Sequence, residues 1–152
     1  MSKIPTIMAL FDKGFISEEE VVAWADDQIM KGKEPFDYIT ILSLKGPRYC
    51  QKLPEHEFPQ SREFTFNEEF ALRTKDLNVD LDEEKQRFLR WVSSECMGLD
   101  IQIPEVKFGY HIDHYFFECD DIMYANRYLK EQLSILVPKN EEIAEGIWAE
   151  IA

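Results

Sequence analysis

What this chain lacks narrows its chemistry first. It holds three cysteines in 152 residues, Cys50, Cys96 and Cys119, odd in number, widely spaced and without a CxxC pair. That pattern excludes the disulfide framework of a small secreted domain and a zinc site built on paired cysteines, and it points to a reducing compartment. No phosphate-binding loop, dinucleotide fingerprint or nucleophile elbow is present. No window approaches the roughly 18 apolar residues that a membrane helix needs. The opening stretch "MSKIPTIMALFDKG" has its apolar run broken by Asp12 and Lys13. That run is too short for a signal-peptide core with a cleavage site, so a cytoplasmic protein is expected. Positive charge is also scarce: 17 bases face 30 acids, a formal net charge of −13. Nucleic acid and anionic membrane surfaces would both repel such a chain, whereas a basic partner would be attracted to it.

What is present is core material. Apolar residues make up 45% of the chain, with eleven Phe, six Tyr and three Trp. At this length they are enough for a sizeable core, and a single domain spanning residues 1–152 is expected. The apolar spacing is helical almost throughout. In "SEEEVVAWADDQIMKG", Ser17 and Glu20 form a capping box, Gly32 is the terminator, and Val21, Trp24, Ala25 and Ile29 share a side opposite Glu19, Glu20, Asp26 and Asp27. A short helix precedes it, ended by Gly14. A third follows, with Pro35 near its first turn and Gly46 at its end. The three prolines between 47 and 63 predict a long loop and a candidate functional element.

A further helix starts at Asn67. Then "DLDEEKQRFLRWVSSECMG" aligns Phe88, Leu89, Val92 and Cys96, with Asp80 as the cap, Glu83 at the box position and Gly98 as the stop. "DDIMYANRYLKEQLSILVP" aligns Leu129, Leu133 and Leu136 and ends at Pro138. A last helix capped by Asn140 carries Ile147, Trp148 and Ile151. The expected fold is all-α, a single-domain bundle of about seven or eight short helices.

The densest cluster of reactive side chains is "GYHIDHYFFECDD", Gly109 to Asp121. As a helix it directs Ile112, Tyr115, Phe116 and Cys119 to the core and stacks His111, His114 and Glu118 on the other side. Two imidazoles and a carboxylate could offer themselves to Zn²⁺ or Fe²⁺. As a strand, the triad dissolves. The segment lacks the HExxH pattern that seats a general base between two ligands. Reaching one metal would also need Glu118 to lean back a full turn and a ligand from elsewhere. No metal and no cofactor are therefore expected. The histidines are expected near the surface, held protonated by Asp113, Glu118, Asp120 and Asp121. Cys50 and His56 could pair as nucleophile and base, but no third group orients them, and chance proximity is the better account.

"LFDKGFISEEEVVAWADDQIMKGKEPFDYITILSL" resembles a group of small bacterial helical proteins of uncharacterised function. The resemblance rests on Gly14, Ile16-Ser17, Trp24-Ala25-Asp26, Pro35 and Leu42-Ser43-Leu44. The "FALR" of Phe70 to Arg73 and the Phe88-Leu89 helix extend it. That group supplies no catalytic residue to carry over. In size, charge and lack of an active-site motif the chain also resembles immunity proteins of bacterial toxin systems. That resemblance implies a non-catalytic protein that binds and blocks a basic toxin, one acting on nucleic acid among the candidates. Aromatic anchors would sit near the acids, and complementary charge would speed association. The partner-binding acids expected are Glu19, Glu20, Asp26 and Asp27 on the Ser17 helix, together with Glu118, Asp120 and Asp121. A metal-dependent enzyme using His111, His114 and Glu118, and a helical adaptor or regulatory module, are the alternatives. The sequence carries no sign of oligomeric state.

Overall fold

The computed structural model describes residues 2–32 and 36–152, and for Phe36 its backbone alone. Pro35, expected near the first turn of the third helix, lies outside the described residues. Among the described residues the chain is all-α, with eight helices and no strand: α1 (Ile4–Asp12), α2 (Glu18–Lys31), α3 (Phe36–Lys45), α4 (Pro47–Gln51), α5 (Phe66–Thr74), α6 (Asp82–Glu95), α7 (Pro104–Phe117) and α8 (Ile122–Glu150). These fall into two compact units, Met1–Glu63 with Ile147–Ala152, and Phe64–Gly146.

The first unit is organised around α2. Glu20 N donates to Ser17 Oγ at 3.1 Å and Ser17 N donates to Glu20 Oε1 at 3.0 Å, so the capping box satisfies two otherwise orphaned amides. At the other end Gly32 takes the left-handed conformation, φ 65°, that lets its amide reach back to Gln28 O and Ile29 O. The core gathers Ile4, Ile7, Met8, Val21, Ala25, Ile39, Leu42, Cys50 and Phe58. Trp24 and Ile29 pack against it half-buried, and so does Ile151. The Trp24 indole donates to Ile151 O at 2.7 Å, which ties the residues after α8 to α2. The 47–63 stretch differs from the loop expected there. Pro47 opens α4, and the following turns bury Cys50 and Phe58. Proline at a first helical turn costs nothing, because its missing N–H has no helical acceptor.

The second unit buries Phe70, Phe88, Leu89, Val92, Phe108, Ile112, Leu129, Leu133 and Leu136. Phe70 meets the rings of Phe88 and Phe108 edge-on at centroid distances of 6.1 and 5.9 Å, a favoured arrangement of ring quadrupoles. Gly109 lets α7 approach α6 closely, since a Cβ there would lie 2.7 Å from Cys96 Cβ. Three boundaries depart from expectation. α5 begins at Phe66, one residue early, because Thr65 and Glu68 form a second capping box. α6 begins at Asp82, with Leu81 rather than Asp80 at the N-cap and no side-chain bond. There Asn78 Oδ1 accepts from Asp80 N at 3.0 Å, which holds the preceding residues in a turn. Finally, the two helices expected to meet at Pro138 are one, α8. An interior proline costs about 3 kcal/mol. Buried Leu133 and Leu136 before it, and Asn140 and Ala144 after it, hold the helix through the defect. Asn140 Nδ2 adds a bond to Leu136 O at 2.9 Å.

Candidate surface at the α7–α8 corner

α7 ends by folding its last residues back. Glu118 N and Cys119 N both donate to His114 O, at 3.0 and 3.1 Å. Two residues later Asp121 Oδ1 accepts from Tyr124 N at 3.0 Å and caps α8. The intervening turn exposes three acids, Glu118, Asp120 and Asp121. It also exposes four large apolar side chains: Phe117 at 52%, Ile122 at 56%, Met123 at 82% and Tyr124 at 38%. Scattered exposed apolar residues need no explanation, but four within eight positions, rimmed by carboxylates, form a patch.

A tyrosine cluster fixes this corner to the unit's core. Tyr115 packs edge-on against Tyr124 at 5.0 Å and Tyr128 at 4.9 Å, and Tyr128 stacks on buried Phe108 at 6.1 Å. Burial, with Tyr115 and Tyr124 beside it, pushes the Tyr128 phenol up to about 12. Its hydroxyl lies 2.8 Å from His111 Nδ1. His111 is half-buried, and its pKa is lowered, first by burial and then by Lys107 and His114. That shift is opposite in direction to the one expected for it. Desolvation penalises the imidazolium, and the two basic groups beside it act the same way.

His114 is exposed and makes different bonds. Its Nδ1 lies 3.0 Å from Glu118 Oε2, and its Nε2 lies 3.4 Å from Cys119 Sγ. Cys119, expected to face the core, is exposed, because α7 stops before it. The two histidines thus direct ring nitrogens at separate partners. Among the described residues no three His, Cys, Asp or Glu side chains are placed to hold a metal ion.

The other expected acids lie in the first unit, on α2. Glu20 is engaged in the capping box, Asp27 pairs with Lys31 at 2.8 Å, and Asp26 accepts from the Ser43 hydroxyl. Glu19 is exposed. The seven acids therefore divide into a set of four on one helix and a set of three in the corner, in different units. Cys50 and His56 form no pair. The Cys50 thiol is buried and pushed up to about 11, while the His56 ring is exposed beside Glu57, 3.7 Å away.

No family model, curated protein or solved structure matches this chain. Among the described residues no helix is long and apolar enough to cross a membrane.

Two features escaped sequence reasoning. Aromatic anchors near the acids were expected, but not that Phe117, Ile122, Met123 and Tyr124 would be the exposed set; the signal was their position on both sides of the acidic turn "ECDD". The second is Glu105, 1% exposed inside the second unit. Asn67 Nδ2 donates to it at 2.8 Å, Asn140 Nδ2 at 3.3 Å and Lys139 Nζ at 3.4 Å. Nothing in local sequence marks it, because its partners come from two other helices, α5 and α8.

Proposed function

We propose that the chain is a cytoplasmic binding protein of the immunity type, which occupies and blocks a basic bacterial toxin. The observation that carries this reading is the α7–α8 corner, where exposed Phe117, Ile122, Met123 and Tyr124 are set among Glu118, Asp120 and Asp121. Interfaces commonly place aromatic and Met anchors at the centre with charge at the rim. The net charge of −13 favours a basic partner and steers it at long range. A nuclease-like toxin, whose cleft must attract phosphate, has the complementary charge.

The test is affinity purification of the tagged chain from its source cell at about 50 mM and about 500 mM salt, since screening weakens such association. One basic protein should be retained at low salt and reduced at high salt. It should be lost from a Phe117→Ala/Met123→Ala variant whose helix content is unchanged. The purified partner should have an activity that one equivalent of this chain abolishes. Retention of no basic protein at either salt, or a partner indifferent to both substitutions, would sink the reading.

A further inference from the structure

The corner also places three reactive groups in line. Cys119 Sγ lies 3.4 Å from His114 Nε2, and His114 Nδ1 lies 3.0 Å from Glu118 Oε2. This is the order nucleophile, base, orienting carboxylate that activates a thiol. The fold-back at the end of α7 creates it, because the bond from Cys119 N to His114 O swings the thiol over the ring of the residue five positions earlier. Tyr115 flanks that ring at a centroid distance of 5.5 Å. Cys50 and Cys96 have no such setting: both are buried.

We propose that Cys119, His114 and Glu118 form an activated surface thiol that exchanges with small disulfides carrying cationic arms. Glu118 accepts a hydrogen bond from His114 Nδ1–H, which keeps the proton on Nδ1 and presents the Nε2 lone pair to the thiol. His114 takes the thiol proton as Cys119 Sγ attacks one sulfur of the disulfide. A new S–S bond forms to Cys119, the original S–S bond breaks, and the departing thiolate receives the proton from His114 as a free thiol. The disulfide is the oxidant, so electrons and protons balance.

The charge around the site selects the reagent. Glu118, Asp120 and Asp121 share the turn. The titratable and charged neighbours on the helices are His111 and Tyr115 of α7, with Tyr124 and Arg127 of α8, the Arg127 guanidinium lying 5.4 Å from the Tyr124 ring centroid. The three carboxylates of the turn outnumber that guanidinium, so an anionic disulfide is disfavoured and an ammonium-bearing one is attracted. The inference is independent of the toxin reading. It concerns the thiol's own chemistry and is read without any protein partner.

The experiment treats the full chain at about pH 7 with cystamine, bis(2-hydroxyethyl) disulfide or glutathione disulfide. Adducts are followed by intact mass and located by peptide mapping. One adduct is expected, at Cys119, formed fastest with cystamine and slowest with glutathione disulfide. His114→Asn should slow the cystamine reaction about tenfold, a modest share of what a positioned base supplies. Glu118→Gln should slow it about threefold by loosening the ring's orientation. Both deficits should shrink near pH 9.5, where a thiol ionises without a base. Because His114 and Glu118 are exposed, circular dichroism should show unchanged helix content in both variants. A His114→Asn protein that reacts at the wild-type rate at about pH 7 would show a merely accessible cysteine and overturn the proposal. So would adducts mainly at Cys50 or Cys96, or glutathione disulfide reacting as fast as cystamine.

Discussion

The two units use acidic residues differently. In the first, acids on α2 are committed to the fold at its surface. Glu20 closes a capping box, Asp27 pairs with Lys31, Asp26 accepts from Ser43, and Glu18 accepts from Arg48 at 3.1 Å. In the second unit Glu69 and Glu105 go to the interior, and three acids rim an apolar corner. Glu105 is buried and held by Asn67, Asn140 and Lys139. Glu118, Asp120 and Asp121 stand exposed beside Phe117, Ile122, Met123 and Tyr124, although Asp121 also caps α8 and Glu118 also meets His114. A count of acids therefore says little about their roles. An acid at a helix start serves the helix dipole and orphaned amides, whereas an acid beside exposed apolar surface is available to a partner.

The comparison breaks most easily at Glu105. Glu105→Ala takes the acceptor from half-buried Asn67 and one of two acceptors from buried Asn140, which keeps Leu136 O, and should cost about 2 kcal/mol. Denaturant unfolding measures it, and a cost below about 0.5 kcal/mol, the range of ordinary surface substitutions, would place Glu105 with the α2 acids. The same residue gives a pH signature. Burial pushes its pKa up, but bonds from Asn140, Asn67 and the backbone, with the charge of Lys139, together bring it below the ordinary value. A depressed carboxylate contributes stability that is complete above the unfolded pKa and is lost as pH falls through the folded one. Stability should therefore decline on the acid side of about pH 4.3, and Glu105→Gln should flatten that decline.

The next effect tests what the units share. Each has a capping box, at Ser17 and at Thr65. Ser17→Ala and Thr65→Ala should each lower stability by about 0.5–2 kcal/mol. An unchanged unfolding midpoint in either would show that water replaces that cap.

A smaller effect separates His111 from the acids around it. Its lowered folded-state pKa means that the unfolded chain binds a proton more readily. Stability should fall as pH drops below about 6.5 toward the folded value, and His111→Gln should remove that slope. A stability that rises over the same interval would instead support a protonated, acid-paired ring. The smallest effect is expected at Asp27→Ala, which removes an exposed pair with Lys31 and should cost about 0.2–0.5 kcal/mol. A cost above about 1 kcal/mol would mean that the α2 acids do more for the fold than surface pairing.

Much of the architecture was legible beforehand. Val21, Ala25, Phe88, Leu89, Val92, Leu129 and Leu133 are buried as their spacing required, while Trp24, Ile29 and Trp148 are half-buried. The Ser17 box and Gly32 cap stand where read. Pro138 misled because local propensity treats an interior proline as a stop, and burial on both sides overrode it. Asp80 misled because its carboxylate accepts from Lys130 and its amide donates to Asn78, so neither closes the cap.

Sequence alone determined that this chain is helical, acidic and rich in core material. Those properties follow from 3.6-residue periodicity, local capping bonds and charge, each of which depends on near neighbours. Only the tertiary structure decided that Glu105 is buried, that His111 turns to Tyr128, that His114 lies between Glu118 and Cys119, and that Phe117 and Met123 face solvent. The physical reason is that burial and side-chain pairing are set by which helices meet and where each one stops. Those contacts join residues far apart in the chain, or turn on a single residue at a helix end, where periodicity carries no information.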